Sequence, residues 1–191
     1  MSTNRMTAVP ADQGAEAPLL EQGSWRVLAD GSTVGFRVKK MGLYHVKGRF
    51  RELEGRIEVD PDSASPTGEL KIRAASVNTR MPPRDLHLRT GDFLAVRKHP
   101  EILVRADRIE PAGEGAFSTS ATIEILGVTQ QVDLTLHAHR HGEDAASGRA
   151  RIHVQGLLDR HAFGVKAMPP AEWVVAREVQ LDCELLLERV G

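Results

Sequence analysis

Between residues 84 and 92 five ionisable side chains crowd together: Arg84, Asp85, His87, Arg89 and Asp92. An Asp-x-His pair is the simplest form of a general base with an orienting carboxylate. Arginines beside it could grip an anion through forked N–H donors. The segment follows Met81-Pro82-Pro83, and proline suits a first helical turn, so a short helix is expected around residues 83–90. On a helix, side chains two apart diverge, which makes Asp85 and His87 a poor catalytic couple. Two readings follow for Arg84 and Asp85. They form a head-group site at the rim of a pocket, or they are structural, with Asp85 and Asp92 pairing with Arg84 and Arg89 or capping orphan N–H groups at element ends. Arg160, beside Asp159, could join either role.

His137, His139 and His141 recur at every second position, which in a strand puts three imidazoles on one face, as a metal site on a sheet requires. They share that face with Asp133 and Thr135, opposite Val132, Leu134 and Leu136, and they run into Gly142. A solvated strand end accounts for them, and no metal is expected. Cys183 is the only cysteine, which rules out an intrachain disulfide and a cysteine-cluster zinc site. Its parity with Val179, Leu181, Leu185 and Leu187 reads as a small apolar core residue. No G-x-S-x-G, H-E-x-x-H, phosphate loop or dinucleotide fingerprint occurs. The expectation is a protein without a cofactor and without catalysis.

The chain of 191 residues has room for one substantial domain. Lys plus Arg number 25 against 26 acids, with no long run of one sign, which argues against a nucleic-acid partner. Residues 1–23 contain Leu19-Leu20 as their one apolar pair, far short of a signal core of about 7–15 residues. No stretch approaches the roughly 20 apolar residues of a membrane span. A flexible tail at 1–23, one domain at 24–191 and a cytoplasmic location are expected.

Alternation with period two organises the rest. Val34, Phe36 and Val38 oppose Gly35, Arg37 and Lys39; Ile57 and Val59 oppose Glu58 and Asp60. Leu70 and Ile72, Ile102 and Val104, Ala121, Ile123 and Ile125, and Val132, Leu134 and Leu136 alternate with polar residues in the same way. The last run, Val175 to Leu187, is the clearest, interrupted at Arg177. Turn clusters at Asp60–Ser63, Pro111–Gly115, His141–Asp144 and Met168–Pro170 separate the runs. At least eight strands of an antiparallel, half-wet sheet follow. Pattern alone leaves a sandwich and a barrel equally open. In the helical interlude Leu86 and Phe93, seven apart, should share a face, and the piece should pack beside the sheet and govern access to its interior.

The order of these motifs resembles the YceI-like family. Its signature, R-D-x-H-L-R-S-x-D-F-F followed by Y-P and a strand, is matched at Arg84, Asp85, His87, Leu88, Arg89, Asp92, Phe93 and Pro100. Thr90, Leu94 and His99 depart from it. Trp25-x-Val27, Val34–Val38, Val46–Phe50, Gly127-Val128-Thr129 and Asp159–Val165 agree in order, so the likeness spans roughly residues 24–189. The resemblance implies an all-β fold, an antiparallel lipocalin-like eight-stranded β-barrel with one short helical insertion near residues 83–97. It also implies a long isoprenoid or similar amphiphilic lipid in an apolar interior, and a possible homodimer. Many members are exported, from which the tail here departs. On that basis the expected lining is Val34, Phe36, Val38, Phe50, Leu70, Ile72, Phe93, Ile102, Val104, Ile123, Val132 and Leu134, with Arg84 and Asp85 at the rim. The rival readings are a partner-binding module with a filled barrel, and a metal-dependent enzyme using the histidine-rich segments.

Overall fold

The computed structural model describes residues 18–62, 65–139, 147–166 and 175–190. In chain order its elements are β1 (Gly23–Lys40), β2 (Tyr44–Phe50), β3 (Leu53–Val59), β4 (Thr67–Arg73), β5 (Val77–Asn78), α1 (Pro82–Leu88), β6 (Glu101–Ala106), β7 (Glu110–Gly113), β8 (Ala116–Ile125), β9 (Val128–His139), β10 (Arg149–Asp159) and β11 (Val175–Val190). Eight of these strands, β1-β3-β4-β6-β8-β9-β10-β11, pair antiparallel in a ring that closes where β11 meets β1. The alternation explains the choice. Each strand carries one apolar row, and a closed wall buries all eight rows while leaving no ring strand with an unpaired edge.

Sequence reading missed β10, although Ala150, Ile152 and Val154 are buried between the more exposed Arg151, His153 and Gln155. It also underestimated β1, whose 18 residues serve three neighbours. The start of β1, Gly23–Arg26, pairs with β3, and its end, Val34–Lys40, pairs with β2, while β11 runs along the whole length. Between Leu28 and Thr33 β1 bulges out of register with β11. Ser32 pins the bulge: its hydroxyl donates to the Leu28 carbonyl and accepts the Leu186 N–H at 2.9 Å. Gly31 (φ 99°) lies over Leu186, and a Cβ there would come within 2.8 Å of that side chain. Leu186 is thereby buried on what would otherwise be the wet face of β11.

The end of the barrel where β1 begins is packed shut. Leu19 and Leu20, expected within a flexible tail, are each 1% exposed and belong to the apolar core. The Trp25 indole N–H donates to the Glu21 carbonyl at 2.9 Å and Arg189 donates to the Gln22 carbonyl at 2.7 Å. Packing thus begins before Ser24, because Leu19 and Leu20 join the apolar core cluster that contains Trp25. Residues 1–17 of the tail lie outside the described residues.

At the other end β2 lies off the ring, paired on one side with β1 and on the other only with the two-residue β5, so strands alone do not complete the wall there. Helix α1 and a chain of tight turns through residue 99 fill that side. The helix starts at Pro82 and ends at Leu88, and its short length corrects one expectation. Leu86 points outward at 68% exposure, and Leu88 packs against the core with Phe93 nearby. A seven-residue spacing cannot be extrapolated through turns that bond Leu94 N to Leu88 O and Ala95 N to Thr90 O.

On the outer wall Asp182 accepts from Arg37 at 2.6 Å and lies 2.7 Å from His153 Nε2. The His153 hydrogen bond, followed by the Arg37 charge, holds the Asp182 carboxyl below its ordinary range. Glu188 is lowered by its hydrogen bonds to Arg26 and Arg149, and Asp159 by its bond to Arg177. A carboxylate lowered on folding stabilises the fold above its unfolded pKa and loses that contribution as pH falls through the folded value. Urea melts should therefore show stability declining as pH drops below about 4. Asp182→Asn should make that acid limb shallower; an unchanged limb would mean that the Arg37–Asp182–His153 cluster carries no linkage.

Candidate functional site

The ring encloses a cavity of about 500 Å³. That size falls within the roughly 300–1,000 Å³ of small-molecule sites. The inward rows of the strands build most of its wall. Val34, Phe36 and Val38 of β1, Phe50 of β2, Leu70 and Ile72 of β4, Ile102 and Val104 of β6, Ile123 of β8 and Leu134 of β9 all line it. Phe93 lines it from the turn after α1, and Arg84 reaches it from the helix. These are twelve of the fourteen positions expected at the site. Val132 faces inward by alternation but sits in the packed core beside fully buried Ala121, outside the lining.

Asp85 is the other position outside the lining. It is 5% exposed, and its Oδ1 accepts both the backbone N–H (2.8 Å) and the hydroxyl of Thr79. Arg84 donates to the Thr79 hydroxyl at 2.7 Å and to the Thr79 carbonyl at 2.9 Å. The pair therefore clamps the start of α1 to the end of β5. Neither arginine of the segment is held by Asp85 or Asp92: Arg89 donates to the Val77 carbonyl, and Asp92 lies 3.7 Å from His87 Nε2. Bracing wins over the paired-ion version because Thr79, the residue that closes the β5–α1 turn, offers both a hydroxyl and a carbonyl. Arg160 is 5% exposed and spends donors on the carbonyls of Val165, Val175 and Ala176, which ties the 160–165 turn to the start of β11.

The open end of the cavity lies where β1 finishes. Lys39, Lys40 and Val46 border it from β1 and β2, His87 and Leu88 from α1, and Leu158, Phe163, Val165 and Val175 from the opposite side. His87 meets Phe93 edge to face, with ring centroids 4.9 Å apart. Phe36 bends the other way. Its ring lies across Gly48, its cross-strand partner, and 5.7 Å from the ring of Phe50. A Cβ at Gly48 would fall 2.2 Å from the Phe36 ring, so only glycine lets the ring lie there. Lining residues that sequence reading left out include Leu158, Phe163, Leu181, Cys183 and Leu185. The even spacing of β11 was the available signal for the last three, and Phe163 stood inside a family-matching block.

Two lining groups are chemically distinctive. Thr119 is 7% exposed and its hydroxyl has no hydrogen-bond partner among the described residues. Burial pushes the Cys183 thiol up to about 11, with its S–H directed to the Gly35 carbonyl at 3.7 Å. Among the described residues no cluster of three or more His, Cys, Asp or Glu side chains could hold a metal. His137 and His139 lie on the outer side of β9, and His141 falls outside the described residues. No described helix is long and apolar enough to cross a membrane.

A family model for the YceI-like domain matches residues 25–187, nearly the whole barrel. The chain belongs to the YceI-like family. Relatives include a UPF0312 protein of Pseudomonas aeruginosa, 31% identical over 135 residues, which cover 70% of each chain. A UPF0312 protein of Shewanella baltica is 28% identical over 139 residues, covering 71% of this chain and 72% of the relative. Among solved structures, Burkholderia cenocepacia BcnA superposes with a TM-score of 0.74 at 20% identity, covering 84% of this chain and 98% of the other. A polyisoprenoid-binding domain from Saccharophagus degradans, implicated in plant cell wall breakdown, gives 0.65 at 21% identity, covering 87% and 98%. At such identities the likeness establishes the fold, a YceI-like closed barrel with one short helix.

Two outcomes test this description of the interior. Thr119→Val removes a buried hydroxyl that lacks a partner, so it should leave stability unchanged or raise it by up to about 1 kcal/mol in urea melts. A clear loss would show that the hydroxyl is satisfied. Cys183 should alkylate about two orders of magnitude more slowly at neutral pH in the folded chain than in the unfolded one, followed by mass spectrometry. Equal rates would place the thiol outside the barrel.

Proposed function

We propose that this protein binds, without catalysis, a long-chain isoprenoid or similarly amphiphilic lipid in the barrel cavity. The observation that carries the reading is the hollow itself: about 500 Å³ walled mostly by Val, Leu, Ile and Phe side chains. An apolar tail entering it gains about 0.8 kcal/mol for each methylene taken from water. No charge is needed inside for affinity, which suits a wall in which aliphatic and aromatic side chains predominate. A polar head left at the opening would meet Lys39, Lys40, Arg84 and His87. The structural neighbour described as polyisoprenoid-binding has the same closed barrel, which supports this ligand class. Asp85, the carboxylate of the Asp-x-His pair, is committed to Thr79 rather than to His87, which supports a carrier, store or sensor over a base built on that pair.

Organic extraction of the purified protein followed by mass spectrometry should return a prenyl-type lipid in near-stoichiometric amount. A clean extract would favour a barrel used only as a scaffold for partners. Phe36→Arg puts a charge against the apolar lining, and retained lipid should fall at least about tenfold with a parallel loss of stability. Undiminished lipid in a folded Phe36→Arg protein would remove Phe36 from the site.

A further inference from the structure

The turn between β1 and β2 is apolar at its tip and exposed. Met41 is 61% exposed, Leu43 81% and Tyr44 67%, so three of the four most exposed large apolar side chains among the described residues fall within four consecutive positions. Met41 (φ 53°) and Gly42 (φ 69°) both take left-handed backbone, and a non-glycine residue there is uncommon. Apolar groups this large usually mark a contact surface when they cluster.

The charges around the tip decide what it contacts. Residues 31–51 contain Arg37, Lys39, Lys40, Lys47, Arg49 and Arg51, together with His45, and not one carboxylate, in a chain whose net charge is −1. Arg37 is paired with Asp182, but Lys39, Lys40, Lys47 and Arg51 stand exposed on the hairpin. A groove along β2 adds Arg80 and Arg84 to His45, Lys47 and Arg49. An oily tip ringed by cations, with a tyrosine between them, matches the headgroup layer of an anionic bilayer: apolar groups at the acyl boundary, amines on the phosphates.

We propose that the β1–β2 hairpin docks the protein on an anionic lipid surface. Lys39, Lys40 and Val46 also border the opening of the cavity, so docking would set the mouth against the bilayer and spare a hydrocarbon ligand a passage through water. The proposal stands on the hairpin and not on the contents of the barrel.

Vesicle flotation tests it, comparing phosphatidylcholine alone with phosphatidylcholine mixed equally with phosphatidylglycerol. The protein should float with the anionic vesicles, and high salt should weaken binding. Leu43→Glu should lower partitioning about tenfold, and Lys39→Gln with Lys40→Gln about fivefold for each charge removed. These side chains are exposed, so thermal melts should stay at the wild-type value. Phe36→Arg should keep docking even where it empties the cavity, which separates this proposal from the ligand reading. No flotation with anionic vesicles, or equal flotation of wild type and both variants, overturns it. So does Leu43-dependent self-association in sedimentation velocity without vesicle binding, which would give the tip to a second copy of the chain.

Discussion

The backbone ladder between β1 and β11 runs from Ser24 paired with Val190 to Lys40 paired with Val175, and it joins the two ends of an eight-strand sheet. Without it β1 and β11 would present long unpaired edges and one oily face open to water. With it, every apolar row turns toward a common axis. The bulge between Leu28 and Thr33 is the device that makes the ladder possible. It lets β1 bend, give its first residues to β3 and its last to β2, and still keep β11 beside it.

Once the ring closes, side-chain size decides whether it is solid. One end is filled by Leu19, Leu20, Trp25 and Leu187, all nearly inaccessible. Along the axis the rows are Val, Ile and Leu, and the few rings are drawn aside: Phe36 over Gly48, Phe93 against His87. An axis lined by short branched aliphatics leaves room that large rings would have taken. The helical segment then closes the gap left by β2, held by the Asp85–Thr79–Arg84 clamp rather than by catalytic duty.

The charged segment at residues 84–92 shows how far local chemistry can mislead. Its residue types suit a general base or an anion grip, yet Asp85 is consumed by one threonine and Asp92 faces His87 near solvent. Neither partner could be named from spacing, because Thr79 lies across a turn and Asp92 lies beyond the end of the helix that carries His87. Leu86 and Leu88 exchanged roles for the same reason: helical periodicity holds only for as long as the helix does.

Alternation along β1, β4, β6, β8, β9 and β11 was legible from the chain, because period two is a property of the extended backbone and is written in residue order. It fixed which side chains face inward, and hence most of the lining, while the ordered motifs identified the family. The closure of β11 on β1, the fully buried Leu19-Leu20 pair, the ring strand β10 and the exclusion of Val132 from the open space were decided by the tertiary structure. Those outcomes depend on which distant rows meet and how much volume they leave, and neither quantity exists until the wall is closed.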